Sequence, residues 1–309
     1  MLKKLLTISF VLLVSFFLIF IIFRYFILEP VVMAKDSNEA PGNIINLKKG
    51  FTHYQVYDNP SVEKLTVLIH GGGVAGDFVW HKNIQSLSEV SDIMSYDLYD
   101  RGYSERINEK SSLPIFTNQL IELIDSLQLK KPFNVVALSM GSMIAIDYAS
   151  RFPENVDKMV LVSPAVFGSF KKRTVLEIPV LSDLLMAFYW SPRAVENQKE
   201  EFFAPEKYPE YFAKLTEMKR FRGYIDSNLS TWCNILTISM KETMSELKVE
   251  DQQIMVIAGE NDPFSPPDII FELKSIFPDL NHQVIKQAGH MPQYEQSEIV
   301  NQLIITHLH

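Results

Sequence analysis

One serine sits where its hydroxyl could act as a nucleophile. In Val135-Val136-Ala137-Leu138-Ser139-Met140-Gly141-Ser142 an apolar strand runs directly into Ser139, and small residues then open a helix. A sharp strand-to-helix turn exposes a serine hydroxyl in strained backbone geometry. Its neighbours must be small, because larger side chains would strike the adjoining strand or helix. Ala137 and Gly141 meet that demand. The helix N-terminus behind Ser139 also favours developing negative charge. The same residues suit an ordinary strand end with a serine cap, so the reading depends on what else could reach Ser139.

Three other motifs bear on that. His70-Gly71-Gly72-Gly73 follows an apolar strand, and glycines there leave backbone N–H groups free to point at an oxyanion. Ile257-Ala258-Gly259-Glu260-Asn261-Asp262-Pro263 presents a carboxylate, Asp262, just past a strand end. Gln287-Ala288-Gly289-His290-Met291-Pro292 puts His290 at the head of a loop. Singly, each also reads as a glycine or Asp-Pro turn. Of the seven histidines, His307 and His309 are terminal, His53, His81 and His282 stand in surface-like patterns, and His70 belongs to the glycine loop. His290 is therefore the best candidate base. Glu260 rivals Asp262 as the acid but lies two residues away. On an extended strand end it would point to the other side. Asp97 and Asp100 lie on a different turn, and Arg101 beside them reads as a residue that ties loops by ion pairing.

These candidates need a scaffold, and the sequence describes one. The stretch 51–57, by its alternation, and the stretches 65–69, 93–96, 133–138, 156–162, 254–258 and 282–285 read as strands. Helical spacing appears at 113–127, 140–149, 268–276 and 298–307. Strands alternating with helices predict a mostly parallel central sheet covered on both faces. From about 165 to 248 the alternation lapses. That stretch is rich in aromatics, among them Phe167, Phe170, Phe188, Tyr189, Trp190, Phe202, Tyr211, Phe221 and Trp232. It reads as a helical lid over the sheet's carboxyl edge, where open α/β sheets bind ligands. About half of its aromatics are needed for its own core. Trp190 and Trp232 are candidates to line a pocket.

The N-terminus is of a different kind. Lys3 and Lys4 precede an uncharged, largely apolar run over 5–23. At 1.5 Å per residue it spans roughly 28 Å, close to the bilayer's hydrocarbon thickness of about 30 Å. Residues 1–28 therefore read as an uncleaved membrane anchor. The apolar core of a cleaved signal is normally about 7–15 residues. Cleavage after Val32-Met33-Ala34 is the alternative, and it would give a secreted protein. Lys3, Lys4 and the amino terminus outweigh Arg24, which places the N-terminus in the cytoplasm and the remaining chain on the outer face. Residues 29–50 read as a stalk, and 51–309 as one domain carrying the lid.

Composition closes off other classes. A chain of 309 residues that is 47% apolar and 21% charged buries a large core, which excludes global disorder. A net charge of −8 argues against a nucleic-acid partner, and Lys171-Lys172-Arg173 is too short a basic run to offset it. The single cysteine, Cys233, excludes an internal disulfide framework. No His-x-x-x-His or similar cluster appears at metal-ligand spacing, so neither a metal nor a cofactor is expected. Asn228-Leu229-Ser230 is a glycosylation sequon, meaningful only in a glycosylating pathway. Nothing sets the oligomeric state.

Taken together and in chain order, Ser139, Asp262 and His290 resemble the α/β-hydrolase superfamily in its lidded single-domain branch, over about residues 50–309. Asp97-Leu98-Tyr99-Asp100-Arg101-Gly102-Tyr103-Ser104 is similar to that family's Asp-Leu-x-Gly-x-Gly-x-Ser turn, with Asp100 in place of the first glycine. The resemblance implies an α/β-hydrolase fold and a Ser-His-acid triad. Ser139 would attack a carbonyl carbon, His290 carry the proton and Asp262 orient the imidazole. The backbone N–H groups of Gly72 and Met140 would hold the oxyanion. Family members that open epoxides or cleave carbon–halogen bonds use aspartate as nucleophile, so Ser139 points instead to acyl chemistry. An esterase or lipase acting on an apolar acyl substrate is the expectation. An acyltransferase or carbon–carbon bond hydrolase would use the same triad. A non-catalytic binding protein of this fold would usually lack a triad member, and none is missing.

Overall fold

Strands built from unbroken aliphatic runs can bury both faces only between two helical layers. The computed structural model shows that arrangement. It describes residues 2–23, 40–168, 174–178, 181–248, 250 and 253–308. Eight strands form one sheet: β1 (Asn43–Asn46), β2 (Phe51–Tyr57), β3 (Leu65–Ile69), β4 (Asp92–Tyr96), β5 (Phe133–Leu138), β6 (Val156–Val162), β7 (Ile254–Gly259) and β8 (Asn281–Ile285). Their spatial order is β1-β2-β4-β3-β5-β6-β7-β8. Pairing from β4 through β8 is parallel, whereas β1–β2 and β2–β4 are antiparallel.

Helix α1 (Leu2–Phe23) precedes the sheet, and α2 (Gly76–Ser88), α3 (Leu113–Ser126) and α4 (Met140–Arg151) follow β3, β4 and β5. Between β6 and β7 lie α5 (Leu181–Leu185), α6 (Ser191–Lys199), α7 (Pro209–Met218), α8 (Tyr224–Asn234) and α9 (Lys241–Ser245). A π-helical turn, Met186–Trp190, joins α5 to α6. Helix α10 (Ile269–Lys274) follows β7, and α11 (Pro292–Glu295) and α12 (Ser297–Leu308) follow β8.

The period-two alternation of side chains divides the core. Val67, Val135, Leu161 and Val256 pack toward α3, α4 and α10. Their neighbours Leu68, Val136, Val160 and Ile257 pack toward α2 and α12. Every residue of β3, β5 and β7 is buried, so these three strands leave rigid ends at the sheet's carboxyl edge.

Several expectations are corrected here. The stretch 29–50, read as a stalk, contains β1, which pairs with β2 from Asn43↔Tyr54 to Asn46↔Phe51. As a four-residue edge strand with mostly exposed side chains it carries no burial pattern to read. The stalk up to residue 39, the cleavage site Val32-Met33-Ala34, Arg24, Phe170 and the run Lys171-Lys172-Arg173 lie outside the described residues. His53, taken for a surface residue, is buried, with Nδ1 2.9 Å from Asp97 Oδ2. Arg101 does tie loops, but through oxygens of α8. Its guanidinium donates to Thr231 Oγ1 at 2.8 Å and to the Ser227 carbonyl at 3.3 Å. The sequon asparagine, Asn228, is buried and donates to the Tyr224 carbonyl at 2.7 Å, so in the fold it is no acceptor for a glycan.

Asp100 adopts φ 63°, a conformation that favours glycine, the residue carried there by the turn this segment resembles. Its carboxylate offsets the strain by accepting from the Ile107 N–H at 2.9 Å and the Ser111 hydroxyl at 3.0 Å. Buried Gln119 of α3 fixes the start of the same loop. Its Oε1 accepts from the Tyr99 N–H at 2.9 Å, and its Nε2 donates to the Asp97 carbonyl at 3.0 Å. Gln119→Leu keeps the volume but leaves the Tyr99 N–H without that acceptor. It is expected to lower unfolding free energy by about 2 kcal/mol, measured by urea denaturation. An unchanged midpoint would show that the loop is held elsewhere.

Candidate active site

The site assembles at the ends of four parallel strands. Ser139 stands between β5 and α4 with φ 51° and ψ −117°, outside the regions open to ordinary residues. Gly141 permits this turn, because a Cβ there would lie 2.7 Å from the carbonyl oxygens of both Ile69 and His70. His290 follows β8. Its Nε2 is 2.9 Å from Ser139 Oγ, and its Nδ1 is 2.8 and 3.0 Å from the two carboxylate oxygens of Asp262. Asp262 follows β7, where its Oδ1 also accepts from the N–H groups of Phe264 and Ser265 at 2.8 and 2.9 Å. The three residues brought together are those expected from the sequence. Glu260 is exposed at the surface.

Burial raises the free energy of any charge here, and pairing decides the outcome. Desolvation pushes the Asp262 carboxyl up. The attraction and hydrogen bond of His290, with two backbone N–H groups, outweigh it and hold the carboxyl below its ordinary range. Desolvation likewise disfavours the imidazolium of His290. The Asp262 charge and hydrogen bond, aided by the Glu201 charge, still raise its pKa above the ordinary value. With Nδ1–H directed at Asp262, Nε2 is left to accept the Ser139 proton.

Opposite Ser139 lies the glycine loop. Buried His70 accepts the Leu98 N–H on Nε2 at 3.0 Å, so its proton is on Nδ1 and donates to the Gly71 carbonyl at 2.7 Å. Burial, the dominant influence, pushes the His70 pKa down to about 4 and keeps the ring neutral. In a trans peptide C=O and N–H point in opposite directions. Holding the Gly71 oxygen inward therefore turns the Gly72 N–H outward. Gly72 lines the cavity there, with open space where a Cβ would stand. Met140 is the first residue of α4, so its N–H has no intrahelical acceptor, and it lines the same cavity.

The cavity has a volume of about 370 Å³. Leu176, Trp190, Trp232 and Leu236 form its lid side, so both tryptophans lie where sequence proposed them. No lysine or arginine lines it among the described residues. One participant was not singled out beforehand: Glu201, just past α6. Its backbone carbonyl accepts the His290 N–H at 2.6 Å, and its side chain lines the cavity and accepts from Gln198 Nε2. That approach requires Gly289, where a Cβ would fall 2.1 Å from the Glu201 oxygen. Burial above all, with the Asp262 charge, pushes the Glu201 carboxyl up to about 7. Only the fold shows this residue, because Gly289 and His290, which it packs against, are remote in sequence.

Residues 65–297 match the sequence model of the alpha/beta hydrolase fold, and the chain belongs to that family. Among curated relatives, an uncharacterized carboxylesterase of Bacillus subtilis (strain 168) is 24% identical, covering 84% of each chain. A 2-hydroxy-6-oxononadienedioate/2-hydroxy-6-oxononatrienedioate hydrolase of Burkholderia vietnamiensis is 25% identical, over 88% of this chain and 97% of that one. Among solved structures, the enol-lactonase of Burkholderia xenovorans LB400 superposes with a TM-score of 0.73 at 17% identity, covering 86% of this chain and 99% of that one. A meta-cleavage product hydrolase of Pseudomonas fluorescens IP01 gives 0.71 at 22% identity, covering 86% and 97%. At these identities the structural likeness establishes the fold.

Glu201→Gln removes one negative charge facing His290. The His290 imidazole is then expected to titrate at lower pH, read from its ring resonances by NMR. A shift to higher pH would show that the Glu201 charge does not stabilise the imidazolium.

Proposed function

We propose that the protein is a membrane-held serine hydrolase that cleaves an ester-type acyl bond on an apolar substrate. The observation that carries this reading is the line from Ser139 Oγ through His290 to Asp262, at 2.9 and 2.8 Å, on the wall of a largely apolar cavity. His290 Nε2 takes the Ser139 proton as Oγ attacks the ester carbonyl. The N–H groups of Gly72 and Met140 receive the negative charge that develops on the carbonyl oxygen. Collapse of the adduct expels the alcohol, protonated by His290, and leaves an acyl group on Ser139. Water activated by the same imidazole then releases the acid.

A carbon–carbon bond hydrolase is a second reading, favoured by the dienedioate hydrolase among the relatives. The cavity's charge supports the ester instead. A doubly anionic substrate would meet Glu200 and Glu201 with no lysine or arginine lining the cavity among the described residues.

Helix α1 supports the membrane assignment. An apolar segment within Lys3–Phe23 reaches a mean hydropathy of 3.0, and most of its side chains stand exposed. Its 22 residues span about 33 Å, enough to cross a bilayer. In this reading the N-terminus is cytoplasmic and the α/β domain lies on the outer face. Secretion after signal cleavage is the alternative, and the mass of the mature protein distinguishes the two.

Ser139→Ala is expected to lower kcat for a p-nitrophenyl ester by about 10⁴-fold or more and to abolish labelling by a fluorophosphonate probe. Asp262→Asn should cost about 10⁴-fold, and Glu260→Gln little. Retained turnover in Ser139→Ala would end the assignment. Because neutral His290 is the required base and its pKa is raised, kcat/KM should climb with pH through a limb above about 6.5. A limb below that value would show that Asp262 does not hold the His290 pKa up.

A further inference from the structure

Over the described residues 174–178 and 181–190 the lid has an inner and an outer face, and both are apolar. Inward, Leu176 and Trp190 line the cavity, while Met186 and Ala187 pack on Ile225 of α8. Outward, Val175, Ile178, Leu181, Phe188 and Tyr189 are exposed. Tyr189 belongs to both faces. It lines the cavity and is 62% exposed, so it stands at the mouth. Large apolar side chains gathered on adjacent turns mark an interaction surface.

The contacts of Phe188 indicate what covers it. Its ring stacks on Phe23 of α1, with centroids 5.7 Å apart and planes inclined by 7°, and lies 6.5 Å from Phe20. Phe20 is only 8% exposed, whereas its neighbours along α1 stand open. The outer face of the lid is thus continuous with the C-terminal end of the apolar helix. In the membrane reading of α1, that end sits where hydrocarbon meets headgroups. Exposed Arg193 adds a fitting charge. Its guanidinium carbon lies 4.4 Å from the Tyr189 ring centroid, and Nη1 donates to the Tyr189 carbonyl at 2.9 Å. A tyrosine and an arginine at the rim of an apolar patch suit the interfacial layer of a bilayer.

We propose that the outer face of the lid, formed by Val175, Ile178, Leu181, Phe188 and Tyr189, docks on the bilayer that holds α1, so that a lipid-soluble ester enters the cavity past Tyr189 from the membrane. This rests on the reading of α1 as an anchor and of Ser139 as an acyl-transfer nucleophile. Phe188 and Ile178 touch neither the cavity nor the Ser139 site, so they are docking residues rather than catalytic ones.

The test places the full-length protein in phosphatidylcholine vesicles doped with a phospholipid that carries a diazirine on its acyl chain. After irradiation, adducts are mapped by mass spectrometry. Adducts are expected on α1 and on residues 175–189. The double variant Phe188→Glu, Ile178→Glu should keep the α1 adducts and lose those on the lid. With an unchanged melting temperature, it should turn over a long-chain ester in the vesicle about tenfold more slowly. Its kcat/KM on a soluble short-chain ester should match the wild type. Adducts confined to α1, or equal losses on both esters, would overturn docking. Adducts on neither segment would overturn the anchor reading and docking with it. Lid adducts without fluorophosphonate labelling of Ser139 would uphold docking and remove the hydrolase reading alone.

Discussion

A serine held at φ 51° is the constraint around which the carboxyl edge of this sheet is arranged. Left-handed backbone at a residue other than glycine costs of order 1–3 kcal/mol and persists only where the surroundings over-determine it. Here they do. The Ser139 N–H donates to the Val162 carbonyl at 2.9 Å, tying the turn to β6, and its carbonyl accepts the Ser142 N–H at 3.0 Å. Gly141 lets the turn sit against the end of β3. Strain spent in this way aims Oγ out of the sheet, where only residues following other strands can reach it. The parallel order β3-β5-β6-β7-β8 supplies them: the glycine loop after β3, Asp262 after β7 and His290 after β8. Each arrives from a buried or hydrogen-bonded strand end, so the spacing needs no flexible loop to close it.

The electrostatics follow from the same geometry. A buried imidazole between a carboxylate and a hydroxyl is drawn toward neutrality by desolvation and toward charge by its partner. Partner and desolvation come from different layers. Asp262 belongs to the sheet, whereas the lid supplies the cover and Glu201, whose carbonyl also holds the His290 N–H. The lid therefore acts on the base directly as well as enclosing the cavity. His70 performs a comparable task on the opposite side. A neutral ring with a fixed tautomer holds one peptide plane, and with it the direction of one N–H.

Much of this could be read from the sequence because it rests on local patterns. Strands 65–69 and 133–138 coincide with β3 and β5, since buried parallel strands are continuous apolar runs, and 51–57, read from its alternation, and 156–162 coincide with β2 and β6. Ser139 and Asp262 each follow an apolar run, His290 follows the more polar β8, and each has a small residue nearby. What escaped was set by partners distant in the chain. Edge strand β1 has no buried face to betray it. His53 looks like a surface residue until Asp97, 44 positions away, is placed beside it. Arg101 could be read as a tie between loops. Its partners, Ser227 and Thr231, sit in the lid, where no rhythm reveals which helix crosses the loop. Glu201 is one acidic residue among several until the fold sets it against Gly289.

The aromatics of the lid divide into two groups with different work. Phe202, Tyr211, Phe212 and Phe221 are buried and join α7 to the core beneath it. Phe188, Tyr189 and Trp190 lie on the thin turn between the cavity and the end of α1. An acyl chain leaving a bilayer for water loses about 0.8 kcal/mol for every methylene exposed. A cavity reached through water would set that barrier before each encounter, and it would grow with chain length. Under the proposed docking, a mouth at Tyr189, beside the stacked rings of Phe188 and Phe23, would let the chain pass from one apolar surface to the next. In that arrangement α1 would do more than tether the domain. It would set the height of the cavity mouth relative to the hydrocarbon, and the length of α1 would become a determinant of which substrates reach Ser139.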